Sequence, residues 1–144
     1  MKLSTRSRYG TRFMLDLALN QNNGPVLLKE ISKRQEISEK YLSQLVIPLK
    51  SKGLINASRG AHGGYRLART MQEITLKDIV EVMEGDLNLV ECVNNPAVCS
   101  RVKNCSSRCV WSELGSKISH TLAAVTLRDL VSRHKEESTG EYQI

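Results

Sequence analysis

The sequence predicts a mainly α-helical protein carrying one small β-hairpin. Three observations carry that prediction. Two short apolar-periodic helices are separated by a turn of three to four residues. Two strand-like runs follow directly, joined by "RGAHGG", which holds three glycines in six residues. Much later, apolar residues recur at steps of three and four through one long segment.

The first element is "STRSRYGTRFMLDLALNQNNGP". Ser4 caps a helix whose apolar stripe is Tyr9, Phe13, Met14, Leu17 and Ala18, and Asn22-Asn23-Gly24-Pro25 stops it. Gly10 weakens this helix locally. "VLLKEISKRQ" forms a short helix with Leu27, Leu28 and Ile31 inward. After a tight connection, Ser38 caps "EKYLSQLVIPLKSKG", which turns Leu42, Leu45, Val46 and Leu49 to one side. Pro48 removes a backbone donor there and should kink or tighten the last turns. This pair is a helix-turn-helix signature. Leu54–Ser58 and Tyr65–Ala68 read as the strands of a hairpin placed as a wing, with Arg59, Gly60 and His62 at its glycine-rich, mobile tip. Thr75 starts a further helix, with Leu76, Ile79, Val80 and Met83 inward, and Gly85 stops it.

A cysteine-rich loop comes next. Beyond it, Trp111, Leu114, Ile118, Thr121 and Val125 form a coiled-coil-like seam, whose expected partner is the same helix of a second subunit. Thr126 caps a short last helix, and the tail "KEESTGEYQI" is polar. The expected organisation is a winged helix-turn-helix domain over 1–85, a cysteine-rich loop over 86–109, a dimerisation helix with a short C-terminal helix over 110–135, and a disordered tail over 136–144.

Charge sorts along these units. Residues 1–70 carry thirteen Lys and Arg against four Asp and Glu, whereas 71–144 carry eight against eleven. A basic first half suits an anion-binding module, and a helix-turn-helix with a wing makes double-stranded DNA the expected anion. Ser38, Lys40, Tyr41, Ser43 and Gln44 lie in the first two turns of the second helix. Gln44 suits an adenine edge and Lys40 a phosphate or guanine; Tyr41 either joins them or packs on a neighbour. Arg59 suits a narrow minor groove, Gly60 lets the wing backbone approach a phosphate with His62 beside it at the tip, and Arg6 and Arg8 suit backbone contacts. A dimer would read a roughly palindromic site. No apolar run is long enough to span a membrane, and no signal peptide is apparent, so a cytoplasmic location is expected. No nucleophile pair, phosphate loop or framed acid–base pair suggests an enzyme.

All four cysteines fall in "CVNNPAVCSRVKNCSSRC", as Cys92, Cys99, Cys105 and Cys109. No neighbouring pair has two-residue spacing, which argues against a zinc ribbon or a thioredoxin-type redox pair. Long, turn-rich spacers suit an iron–sulfur cluster, with Arg101, Lys103 and Arg108 offsetting thiolate charge. A zinc site, free thiols that sense oxidation directly, disulfides, and a redox enzyme are the alternatives.

"MKLSTRSRYGTRFMLDLAL", "ISEKYLSQLVIPLKSKGLI", "SRGAHGGYRLA" and the cysteine loop followed by Trp111 together resemble the Rrf2 family of transcription factors, in particular its IscR-like iron–sulfur regulators. The resemblance spans nearly all of residues 1–135. It implies a homodimeric DNA-binding regulator of iron–sulfur cluster biogenesis genes, acting as a repressor, with a [2Fe–2S] cluster between the DNA-binding domain and the dimerisation helix. It also implies Cys92, Cys99 and Cys105 as ligands and Tyr41 and Arg59 as DNA contacts. Two positions depart from the pattern. The IscR-like members place a histidine ligand where this chain has Arg108, which cannot ligate. If the dimerisation helix starts near Cys105, Cys109 is its i+4 neighbour and the expected fourth ligand. His120, eleven residues past Cys109 or roughly 16 Å along a helix, is too far. The second departure is Ser43, which replaces an acidic residue that helps to discriminate sites.

Overall fold

A computed structural model describes residues 2–140. Helix α1 (Thr5–Asn20) opens the chain, and the Ser4 hydroxyl accepts from the Ser7 amide to satisfy one of its free N–H groups. Phe13, Met14 and Leu17 have no exposed surface. Gly10 has a reason that helical propensity hides. A Cβ there would stand 3.1 Å from Met83, so the missing side chain lets α1 and α4 (Leu76–Glu84) pack closely. The Ser4 amide and Ser7 hydroxyl both donate to the Glu84 carboxylate at the end of α4, and the Ser4 side chain, the Ser7 side chain and the Ser4 amide, in that order, hold that carboxyl below the usual range.

Helices α2 (Leu28–Gln35) and α3 (Glu39–Ser51) form the helix-turn-helix. Glu36 takes the left-handed conformation between them, at φ 54°. Ser38 caps α3 by accepting from the Tyr41 amide. Leu42, Leu45, Val46 and Leu49 are buried, and the helix continues through Pro48 to Ser51. A charged clamp sets α2 on α1. Asp16 is buried, and both its oxygens receive bonds from Arg34, at 2.7 and 3.0 Å, with Gln35 adding a third donor at 2.9 Å. Leu27, expected inward, is instead exposed, because α2 begins at Leu28, two residues later than the start of that run, and Leu27 is its N-cap residue. Val26 takes the buried place.

The wing pairs β1 (Ile55–Ser58) with β2 (Gly64–Leu67) in antiparallel register. Val26 acts as a third, one-residue strand: its amide donates to the Tyr65 carbonyl at 2.9 Å, and the Tyr65 amide returns the bond at 2.8 Å. This explains the glycines differently from a mobile tip. Gly64 has φ 144°, and a Cβ on it would lie 2.6 Å from the Val26 carbonyl oxygen; one on Gly63 would lie 2.4 Å from that of Ser58. Of the three wing glycines, Gly60 alone faces open space.

Thr75 and Asp78 start α4 with a reciprocal capping box. The single-turn α5 (Glu91–Asn94), two 3₁₀ turns, α6 (Ser106–Ala123) and α7 (Leu127–Gly140) complete the described chain. A backbone clasp returns the chain to the first domain: the Leu76 amide donates to Val125 and the Leu127 amide to Ile74, each at 2.8 Å. Leu127 and Val131 then enter the core. Two expectations change. Val125 belongs to this clasp and not to a helical seam, since α6 ends at Ala123. Residues 136–140, expected to be disordered, continue α7, where Ser138 and Thr139 donate to carbonyls one turn back. The rest of that tail, 141–144, lies outside the described residues.

Replacing Gly64 by Ala should lower the unfolding free energy in urea by about 2–4 kcal/mol, combining overpacking with φ strain. Gly60→Ala, with strain alone, should cost clearly less.

Candidate nucleic-acid interface and cysteine segment

The apolar side of α3 is spent in the core, so its other side is free. Lys40, Ser43 and Gln44 are exposed on it, as is Glu39. The Ser43 hydroxyl donates to the Lys40 carbonyl at 2.6 Å, and Ser38 is occupied as the cap. Tyr41 is half-buried and packs edge-on against Tyr9, ring centres 5.7 Å apart, which is the neighbour-packed arrangement. Arg6, from the start of α1, meets Tyr41 and Gln44 around one cleft. Arg8 is exposed and donates to Thr5 at 3.1 Å. At the wing, Arg59, Gly60 and His62 are all exposed, and Arg59 shares a groove with Lys29, Glu39 and Lys50. Three separate elements therefore turn basic or polar groups outward: the start of α1, the free side of α3 and the wing tip. Sequence reasoning passed over Ile47. It lies on the same free side of α3 and is 67% exposed.

The four cysteines are all free thiols. Cys92 sits in α5, Cys99 follows the Pro96–Val98 turn, Cys105 is the N-cap residue of α6, and Cys109 lies in its first turn. Cys92 and Cys105 are half-buried, while Cys99 and Cys109 are exposed. The Cys105 thiol is held below the ordinary cysteine value, first by the Ser107 hydroxyl 3.2 Å from its sulfur, then by the Arg108 amide, with a smaller contribution from the Arg101 charge. As a donor set, four thiols in a turn-rich segment suit iron–sulfur chemistry. Among the described residues, however, no three Cys, His, Asp or Glu side chains converge on a common point. The thiols would have to close around such a group.

Arg108 has a place that sequence did not reveal. Its guanidinium reaches back to the carbonyls of Cys92 and Val93, at 3.0 and 3.3 Å, and ties α6 to α5. Along α6, Trp111 and Leu114 are 41% and 38% exposed. Val110, absent from the expected seam, is exposed too. Ile118 is half-buried and Thr121 exposed.

Residues 3–133 match the model of the Rrf2 family, described as iron-dependent transcriptional regulators. The Rrf2 protein of Nitratidesulfovibrio vulgaris is 42% identical over 131 residues, covering 91% of this chain and 87% of that protein. Among solved structures, CymR of B. subtilis, described as the global cysteine regulator, is 38% identical with a TM-score of 0.76, covering 92% of this chain and 98% of its own. IscR of T. potens is 36% identical with a TM-score of 0.78, covering 95% and 90%.

Arg108→Ala should speed amide hydrogen exchange across residues 91–98 while leaving the exchange of α1 and α3 unchanged, since the tie it removes lies outside the main core.

Proposed function

The chain belongs to the Rrf2 family of transcriptional regulators, and from that premise we propose that it is a dimeric, sequence-specific DNA-binding regulator that reads iron–sulfur cluster status through Cys92, Cys99, Cys105 and Cys109. It is not an enzyme; it carries a winged helix-turn-helix fold. The observation that carries the sensing half is placement: every thiol lies in one segment that runs from beyond the DNA-reading domain into the first turn of α6. The proposed DNA face combines Lys40, Ser43 and Gln44 on α3 with Arg6, Arg8, Ser38 and the wing residues Arg59, Gly60 and His62. Tyr41 contributes by its hydroxyl edge, its ring being packed on Tyr9. The proposed dimer surface is the exposed stretch of α6 around Trp111, Leu114, Ile118 and Thr121, which would set two α3 helices on one roughly palindromic duplex. Genes of cluster biogenesis, under repression in the cytoplasm, are the proposed targets.

A [2Fe–2S] cluster supplies a redox-sensitive, iron-dependent group whose presence the protein can register. The residues of the chain would do the rest. Drawing four thiols together orders residues 92–109 and shifts the start of α6, which Arg108 already ties to α5. The end of α6 is fixed by the clasp at Val125. Movement at one end with the other held changes how α6 presents itself to a second copy, and with it the spacing of the two α3 helices. A bound group that favours one spacing then shifts DNA affinity. A second reading, direct thiol oxidation, draws support from the exposure of Cys99 and Cys109 and the lowered Cys105 thiol.

Protein purified without oxygen should be coloured and contain matched iron and acid-labile sulfide; Cys109→Ala should lose the colour faster in air. A colourless protein that resists reconstitution and holds only zinc would falsify the cluster, and reversible disulfide formation in it would favour the second reading. Separately, Arg59→Ala and Gln44→Ala should each weaken specific DNA binding by about 10-fold, within the range of roughly 1–3 kcal/mol for a base-reading contact. Anisotropy titration at fixed salt checks this.

A further inference from the structure

We infer that Ile47 is a specificity-determining residue that reads the C5-methyl group of a thymine in the major groove. The inference rests on the DNA-reading role proposed for the free side of α3. Ile47 is the most exposed of the large hydrophobic side chains described, at 67%. It follows Lys40 by seven residues, Ser43 by four and Gln44 by three, the spacing that puts all four on one helical face. The buried residues Leu42, Leu45, Val46 and Leu49 form the opposite face, so the core makes no use of Ile47.

Local chemistry also disfavours isoleucine here. A β-branched residue loses rotamer freedom in a helix. The residue before a proline is steered away from helical geometry, and Pro48 follows at once. Exposure leaves an apolar surface in water. An isoleucine that is costly for the free helix is useful where that face meets an apolar group, and in the major groove the thymine methyl is that group. Position supports the assignment. Three residues advance roughly 4.5 Å along a helix, and base pairs are stacked about 3.4 Å apart. Ile47 therefore falls one to two base steps from the base that Gln44 would read.

The test uses the full chain and a duplex selected by it from random-sequence DNA. Each thymine is replaced in turn by deoxyuridine, which lacks only the methyl, and affinity is read by anisotropy. With about 0.8 kcal/mol per buried methyl-sized group, wild type should lose about fourfold at one thymine in each half-site. Ile47→Ala should bind the thymine and deoxyuridine duplexes equally, and Ile47→Val should keep part of the discrimination. Position 47 is exposed, so neither variant should unfold at a lower temperature than wild type, and Ile47→Ala should unfold at the same or a slightly higher one. The proposal is overturned if no thymine shows a methyl effect in wild type, or if Ile47→Ala retains it in full. Lys40→Ala and Gln44→Ala separate the two failures. If they weaken specific binding while Ile47 is without effect, the DNA face stands and only the methyl reader falls. If they too are without effect, both fall.

Discussion

Burial of the α1 stripe is the interaction on which the other elements depend. Phe13, Met14 and Leu17 lose all their solvent exposure, and around that stripe pack α2, α3, α4, α7 and the second wing strand. Each fully buried side chain of this size contributes about 1.5–3 kcal/mol. Hydrophobic burial has no direction, however, and a reading helix needs one. The Asp16 clamp provides it. A buried carboxylate bonded by Arg34 and Gln35 allows α2 one rotation on α1, and the Glu36 turn then sets where α3 leaves.

The two halves of the chain differ in how much of their order is intrinsic. Through residue 84 and again at Leu127 and Val131, apolar side chains interlock in one core. Residues 85–110 contribute no fully buried side chain; their order rests on short turns, the Arg108 tie and the contact of Asn94 with Asp86. That contrast is what ligand-coupled ordering requires, because binding free energy can reshape only a segment whose own folding free energy is small.

What could be read from sequence divides by range. The caps at Ser4, Ser38, Thr75 and Thr126 and the stop at Gly85 are decided within four residues, and each stands where its local pattern placed it. The helix-turn-helix and hairpin follow from the same kind of pattern. Features decided by distant neighbours were not legible. Gly10 answers to Met83, Gly64 to Val26, and Val125 to Leu76. Val26 and Leu27 are alike in hydropathy, and only the pairing with Tyr65 decides which is buried. Arg108 was legible as a residue that cannot ligate, but its reach to the carbonyls of α5 was not. Ile47 carried a signal that went unused: an apolar residue outside the stripe of its own helix.

The backbone clasp between residues 74–76 and 125–127 has an evolutionary consequence. The chain leaves the basic domain after α4 and is brought back by paired amides and carbonyls to the same place, so the intervening stretch behaves as an insertion with fixed ports of entry and exit. Closing a longer loop between fixed ends costs little, about 0.6 kcal/mol for each doubling in length. Residues 86–124 can therefore lengthen or shorten over generations at little cost in chain entropy, while the ports that tie them to the first domain stay fixed.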